Sequence, residues 1–306
     1  MDRADVALCK ELLKNSRTSY QALAKILGIS VPAVHKRVKE LMGQGVIRGF
    51  VAEIDITSVN GLSVMVFGRT EAPLATQVMD RLGKDRSTWM VLLGGGNQIY
   101  INAFLRTASE IEPYLEFVKE AGIMPHPMFG IHSLRPEGLK LVEGSGEITP
   151  LERRIIGSLS HDSRKKLSDV GMEVGVSART VGNKLSRLID EGKVRLTIDW
   201  SPNFSRDIVT MFHLNLAEGV ERSKAFALLR ERFPENIIMT SAFSNIHDLM
   251  LATIWTSSMR EVEIIMEGMY GSGLFSDIVP HMIYSGRRYE TWKDRLIEQK
   301  IGGRKS

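Results

Sequence analysis

The sequence predicts an α+β chain in which two short helical blocks alternate with two domains that mix strands and helices. Three observations carry that reading. Residues 16–47 and 163–194 align without a gap at a shift of 147, placing Ser16/Arg17 on Ser163/Arg164, Gly28 on Gly175, Ser30 on Ser177 and Gly45 on Gly192. In the same register the apolar set Leu23, Leu27, Val34, Val38, Leu41 and Ile47 falls on Val170, Val174, Val181, Leu185, Leu188 and Val194. After each block the apolar period switches between alternating and helical, in the order strand, helix, strand, strand, helix, strand.

Each block opens on an amphipathic helix, with Leu8 and Leu12 at i, i+4 matched by Ile155 and Leu159. Leu23, Ile26 and Leu27 then mark a second helix, and Val34, Val38 and Leu41 a third. Between them, Gly28 suits the positive φ of a tight turn and Ser30 can cap the next helix. Two short helices joined in this way form a helix-turn-helix, whose second helix can enter a major groove. Residues 45–55 and 192–199 carry alternating strand signals, expected to form a wing beside each of those second helices.

With Val34, Val38 and Leu41 facing inward, Pro32, Lys36 and Lys39 point out, flanked by Ala33, His35 and Arg37. The second copy shows Arg179, Asn183 and Ser186, flanked by Thr180, Gly182, Lys184 and Arg187. Arginine and asparagine can bond guanine and adenine edges in pairs, so Arg179 and Asn183 are expected to read bases. Lys36, Arg37, Lys39, Lys184 and Arg187 are expected to meet phosphates. Ser30, Pro32, His35, Ser177 and Thr180 complete the candidate surface for double-stranded DNA. The competing reading is a solvated basic face on a packing helix. The duplication, the turn chemistry and the strands that follow weigh against it.

Charge is segregated in the same direction. The whole chain carries +4, but residues 1–50 hold nine basic against four acidic side chains, a balance of +5. Residues 150–200 hold ten against seven, and 286–306 seven against three. The remainder, 51–149 with 201–285, holds fourteen basic against twenty-two acidic residues, a balance of −8. A polyanion would therefore meet the helical blocks and the tail, not the bodies between them. No apolar run approaches the ~20 residues of a membrane span, and the N-terminus lacks a charged-then-apolar signal pattern. A cytoplasmic protein is expected. Cys9, the single cysteine, allows no disulfide within the chain and sits on the apolar side of the first helix.

The first mixed domain reads as strand 62–70, helix 74–82, strand 88–93, a turn at Gly94-Gly95-Gly96-Asn97, strand 99–105, a helix from Ile111 and an extended segment 124–134. Pro113 is tolerable only in the first turn of its helix. The second repeats the order as strand 208–216, helix 223–233, strand 237–243, a turn at 245–247, strand 249–255, helix 259–269 and strand 278–284. This is the ferredoxin-like βαββαβ pattern. Expected domains are a winged helix-turn-helix at 1–55, a βαββαβ domain at 60–135, a Gly/Ser/Pro linker at 136–149, a second winged helix-turn-helix at 150–200, a second βαββαβ domain at 205–286 and a basic tail at 287–306.

Asn15-Ser16-Arg17, the run from Leu27 to Leu41 and Gly45-Val46-Ile47, followed by βαββαβ, resemble the Lrp/AsnC (feast/famine) family of transcriptional regulators. The resemblance spans nearly the whole chain, taken twice in tandem, and is weaker in the second copy, where Lys193 follows the glycine. It implies that the βαββαβ domains pair, as a homo-oligomer or an internal pseudo-dimer. It also implies a small effector, often an amino acid, bound near the turn between their second and third strands. There the family pattern is a glycine followed three residues later by an aspartate. This sequence splits it, with Gly95 and Gln98 in one copy and Asn245 and Asp248 in the other. One asymmetric pocket from these four residues is the effector reading, and two plain hairpin turns the bland one.

The weaker signals add no cofactor. Gly94-Gly95-Gly96 lacks a following Lys-Ser/Thr and a helix, so it is no phosphate loop. Pro125-His126 and Pro280-His281 stand at the same place in the last strand of each βαββαβ copy, where packing explains them better than metal or haem ligation. The leading expectation is a sequence-specific DNA-binding regulator and not an enzyme. Two alternatives stand beside it. One is a siroheme decarboxylase, an activity that Lrp/AsnC-like folds include, with His126, His213, His247 and His281 as candidates. The other is a ligand-sensing adaptor that binds no DNA.

Overall fold

The computed structural model describes residues 1–131, 148–201 and 207–298. The first half runs α1 (Arg3–Lys14), α2 (Tyr20–Leu27), α3 (Val31–Gly43), β1 (Ile47–Ile54), β2 (Leu62–Arg69), α4 (Thr76–Leu82), β3 (Thr88–Gly94), β4 (Gln98–Leu105), α5 (Ile111–Gly122) and β5 (Met128–Ile131). The second repeats the order as α6 (Pro150–Leu159), α7 (Leu167–Val174), α8 (Ala178–Asp190), β6 (Val194–Trp200), β7 (Ile208–Leu216), α9 (Arg222–Arg232), β8 (Ile237–Ala242), β9 (Leu249–Thr256), α10 (Met259–Tyr270) and β10 (Phe275–Arg288). A last helix, α11, spans Trp292–Glu298. Residues 136–147 of the expected linker, the end of the extended segment expected at 124–134, and the end of the tail lie outside the described residues. No helix among the described residues is long and apolar enough to cross a membrane.

The chain divides into two units. One gathers both helix-turn-helix blocks with α11. Ser19 caps α2 by accepting the Ala22 N–H at 3.1 Å, and Ser30 caps α3 through the Ala33 N–H at 3.3 Å. Between them Gly28 takes φ 65°, and its counterpart Gly175 takes φ 76° ahead of the Ser177 cap on α8. Left-handed backbone of that kind is inexpensive only for glycine. Ile155, Ile156, Leu159, Val170, Val181 and Leu185 make the core of the second block, to which Ile297 of α11 adds. Lys293, on the first turn of α11, is buried and donates to the Ile54 carbonyl at 3.1 Å.

The strands after the two blocks form where expected, and they pair with each other, which the sequence did not foresee. β1, which follows α3, pairs antiparallel with β6, Ala52 opposite Leu196 and Ile54 opposite Val194. Each strand carries apolar residues at alternate positions and, among the described residues, has no second strand of its own block beside it. The equivalent strand of the other copy satisfies its backbone, and Ala52 and Ile54 of β1 pack into the core of the second block's helices.

The other unit is an eight-stranded antiparallel sheet in the order β5-β2-β4-β3-β10-β7-β9-β8. Each half is one βαββαβ copy, joined where β3 pairs with β10 from Met90·Arg288 to Gly94·Ile283. That seam explains why β10 runs to 288, beyond the expected 284, since residues past Ile283 find their partners in the other copy. Val64, Val66, Ile99 and Ile101 pack under the helices of the first copy, and Leu214, Met250, Ala252 and Ile254 under those of the second. The alternate residues Met65, Phe67, Tyr100, Val209, Met211, Phe243 and Leu251 form a third core from both copies. The strands therefore read as nearly continuous apolar runs, because both faces are covered. Phe243 lies against the Gly130 backbone, where a Cβ would come within 2.1 Å of its ring.

Candidate nucleic-acid interface and effector turns

The helix-turn-helix unit is organised about a pair of serines. Ser16 and Ser163 are fully buried and their hydroxyls bond at 2.6 Å, although 147 residues separate them. Arg17 Nε donates to the Ser163 carbonyl at 2.6 Å and Arg164 Nε to the Ser16 carbonyl at 2.6 Å. Their terminal nitrogens reach the Lys165 and Thr18 carbonyls respectively. Arg48 pairs with Asp199 at 2.9 Å, and its counterpart Arg195 with Glu53 at 3.2 Å. The serine and Arg17/Arg164 bonds are each returned by the equivalent residue of the other block, which relates the two blocks by a local two-fold axis through the serine pair, whereas Arg48 and Arg195 take acids at non-equivalent positions. Sequence reasoning noted Ser16-Arg17 and Ser163-Arg164 only as matching positions. That both dipeptides repeat as small-polar then cationic was the signal for a reciprocal contact.

On α3, Pro32, His35, Lys36 and Lys39 are exposed, and on α8 so are Arg179, Asn183, Ser186 and Arg187. Lys36 keeps 76% of its side chain exposed, with Glu40 at 3.9 Å. His35 sets its ring edge-on to Tyr20, 4.2 Å between centroids. Thr180 is half-buried, its hydroxyl bonded to that of Ser177 at 2.9 Å. Arg187 is exposed but bonded to Glu191 at 2.7 Å.

Two residues expected at phosphates are employed elsewhere. Arg37 bonds Asp5 of α1 at 2.7 Å, and Lys184 bonds Glu152 of α6 at 3.2 Å. These too are equivalent positions at the shift of 147. The helical wheel placed Arg37 and Lys184 at the margin of the outward face, where a long side chain can turn inward to an acid on the first helix. Burial alone would raise the Glu152 carboxyl, but hydrogen bonds from the Thr149 backbone and hydroxyl and from Lys184 overcome it and hold its pKa below the usual range.

The four effector candidates are not brought into one pocket. Gly95 sits in a one-turn 3-10 helix, and Gln98 is buried at the start of β4. Asn245 has both ends of its carboxamide engaged, accepting the Ile131 N–H at 2.8 Å and donating to the Phe129 carbonyl at 2.8 Å. With the Ser244 N–H on the Ile131 carbonyl, it fastens the free edge of β5. Asn245 thus ties its turn to the edge of β5. Asp248 is exposed, and its backbone carbonyl accepts the Leu216 N–H.

A second arrangement joins His213 and His281, two of the histidines named for the decarboxylase alternative, to Tyr100 of the other copy, which the sequence did not single out. The Tyr100 hydroxyl bonds His213 Nε2 at 2.7 Å, and the His213 ring lies 4.8 Å from that of His281. Burial, and then the neighbouring His281, push the His213 pKa down to about 4. Burial also lowers that of His281, against a backbone hydrogen bond at Gly95. Both imidazoles are neutral at pH 7. His126, expected as the counterpart of His281, is exposed and takes no part. Among the described residues no cluster of three or more His, Cys, Asp or Glu could hold a metal ion.

Residues 1–48 match a family model described as a winged helix-turn-helix DNA-binding domain. An HTH-type transcriptional regulator of Pyrococcus horikoshii is 27% identical over 120 residues, covering 39% of this chain and 81% of that protein. The regulator LrpA of Pyrococcus abyssi is 37% identical over 73 residues, 24% of this chain and 52% of its own length. LysM of Saccharolobus solfataricus is 34% identical over 73 residues, 24% of this chain and 51% of its own. Among solved structures, the siroheme decarboxylase NirDL superposes with a TM-score of 0.62 at 12% identity, over 97% of this chain and 98% of that one. At that identity the likeness is one of fold, with both helix-turn-helix and both βαββαβ copies in the same order.

Proposed function

We propose that the chain is a sequence-specific DNA-binding transcriptional regulator that carries both reading helices of a dimeric regulator in one polypeptide, in the manner of a tandem Lrp/AsnC protein. The observation that carries this reading is the two-fold relation of α3 and α8, each capped by serine and each with polar side chains directed to solvent. The match of the first block to a DNA-binding family, and the regulators among its relatives, support the same function. Lys36 and Lys39 would hold phosphates, and Arg179 and Asn183 would read base edges. An amino acid at the turn bearing Asp248 remains the effector reading, without help from Asn245.

With Arg37 and Lys184 committed to acids of their own blocks, roughly three cations remain to meet phosphates. The affinity for duplex DNA should then fall with a log–log salt slope of roughly −3, not the −4 to −5 that five contacts would give. Fluorescence anisotropy across a salt series measures it. A slope near zero would remove the phosphate assignment.

A second reading, a decarboxylase acting on a carboxylated tetrapyrrole, draws on the full-length likeness to NirDL and on the paired imidazoles of His213 and His281. The exposed basic and base-reading side chains of both recognition helices favour the regulator. An absorbance spectrum of the purified protein separates the two. A Soret-type band that survives dialysis would favour the enzyme.

A further inference from the structure

In the sheet unit, α10 and β10 flank a cavity of about 620 Å³ that Gly95 also lines. That volume is in the range of pockets for small organic ligands. Met259, Met266 and Tyr270 line it from one face of α10, at i, i+7 and i+11, and Met282 lines it from the strand. Met259, Tyr270 and Met282 are 55%, 46% and 47% exposed, more than three large apolar side chains clustered on one concave surface would be without a partner. Tyr270 is held by its hydroxyl, which accepts the Ile278 N–H at 3.2 Å and donates to the Ile278 carbonyl at 3.3 Å. The methionines are free to adapt, being unbranched and polarisable.

The polar groups on the cavity wall have one sign. Glu263 and Glu267 line it, and neither lysine nor arginine does. Glu263 already has Arg260 at 2.6 Å. Glu267 has no ion-pair or side-chain hydrogen-bond partner among the described residues. His281, the remaining polar side chain there, is neutral and hydrogen-bonded to the Gly95 backbone, so it brings no positive charge. A ligand carboxylate would therefore face acids with nothing to offset it, whereas an ammonium would gain a charge-assisted bond.

We propose that this cavity binds an amphipathic monocation, an alkyl- or arylamine without a carboxylate, with its body among the methionines and its ammonium at Glu267. The cavity borders the Gly95 turn, one of the two turns expected to hold an amino acid, but takes its acid from α10 and not from Asp248, and the proposal does not rest on DNA binding. The test is calorimetric titration of the full chain with three probes that share a phenyl body: 2-phenylethylamine, phenylalanine and 3-phenylpropionate. The amine should bind, and the zwitterion and the acid should bind at least about tenfold more weakly, the worth of one such bond. Glu267→Gln should weaken the amine by a similar factor. Met259→Trp, at an exposed position, should fill the cavity and abolish the heat. Absence of amine binding up to about 10 mM would overturn the proposal. So would equal binding of all three probes, or an amine affinity unchanged by both variants. Retention of DNA binding in any of these outcomes would leave the regulator reading standing, since the two are measured separately.

Discussion

At the position where the first recognition helix carries Pro32, the second carries Arg179. One turn on, Lys36 stands against Asn183, and further along Lys39 stands against Ser186. His35, edge-on to Tyr20, corresponds to Gly182, whose Cβ would meet only Leu167, the counterpart of Tyr20. All of these differences face outward. Inward, the copies agree: Val34, Val38 and Leu41 match Val181, Leu185 and Leu188, and Ser30 matches Ser177. Packing and capping have kept one backbone while the exposed faces have separated. The first copy offers point charges, and the second offers the forked donors and acceptors that can distinguish bases.

The largest way to break this comparison is at the axis that makes the copies comparable. Ser16→Leu would force a bulky side chain into a fully buried site and leave the Ser163 hydroxyl without its partner. Overpacking and an unsatisfied hydroxyl together should cost about 2–5 kcal/mol. Chemical denaturation of the variant measures it. Ser16→Ala, which removes one hydroxyl without adding volume, should cost less. A tolerated leucine would mean that the two blocks do not depend on each other.

Next in size is base reading. Arg179→Ala and Asn183→Ala should each lose roughly 1–3 kcal/mol on the preferred site and little on random DNA. Because α3 and α8 present different side chains, one chain should select a site whose halves are unlike. Selection from random DNA would show this, and light scattering would give the number of chains bound. A single chain bound to a perfect palindrome would contradict the unlike faces.

A third test separates structural cations from DNA-facing ones. Arg37→Ala should destabilise the fold by roughly 1–2 kcal/mol, more than an exposed pair would, and leave the salt slope of DNA binding unchanged. Lys184→Ala should behave alike. The acid partner gives a pH signature. The Glu152 pKa lies below its unfolded value, so its contribution to stability is complete above about pH 4.3 and is lost as pH falls through the lower folded value. Glu152→Gln should flatten the stability profile in that acid range. An unchanged profile would remove the pair from the account.

The sequence disclosed the parts that repeat locally and concealed those made between repeats. Ser30, Gly28 and the i, i+4 valines declare a helix-turn-helix because cap, turn and stripe lie within a dozen residues. The strand order of each βαββαβ copy was legible for the same reason. The β1–β6 pairing was not, since a single alternating strand says nothing about which strand lies beside it. Nor was the length of β10, set by partners in β3 nearly 200 residues earlier. The ion pairs of Arg37 and Lys184 were not legible, because a helical wheel gives the direction of a Cβ and not the reach of a long cation. Asn245 looked like part of an effector turn, yet its carboxamide substitutes for backbone pairing on the edge of β5. Asp5 and Glu152, 147 residues apart and each 32 residues before its cation, were a repeated charge pattern that could have been seen.

The smallest expected effect concerns the division of labour itself. Lys36 and Lys39 are exposed in the first copy, where the second has the uncharged Asn183 and Ser186. If charge supplies affinity and forked groups supply selectivity, the two copies should contribute to different observables. Lys36→Ala should make the log–log salt slope shallower by about 0.9 and weaken specific and random duplexes alike. Lys39→Ala should do the same. Asn183→Ala should leave the slope where it was and change only the ranking of sequences. The Glu40 carboxylate, 3.9 Å from the Lys36 ammonium, is too far and too exposed to hold it back from a phosphate. Measuring slope and sequence ranking on the same variants decides the matter. Should Lys36→Ala alter the ranking, or Asn183→Ala the slope, both helices would be reading and anchoring together, and the difference in their exposed faces would define two half-sites without dividing the work between them.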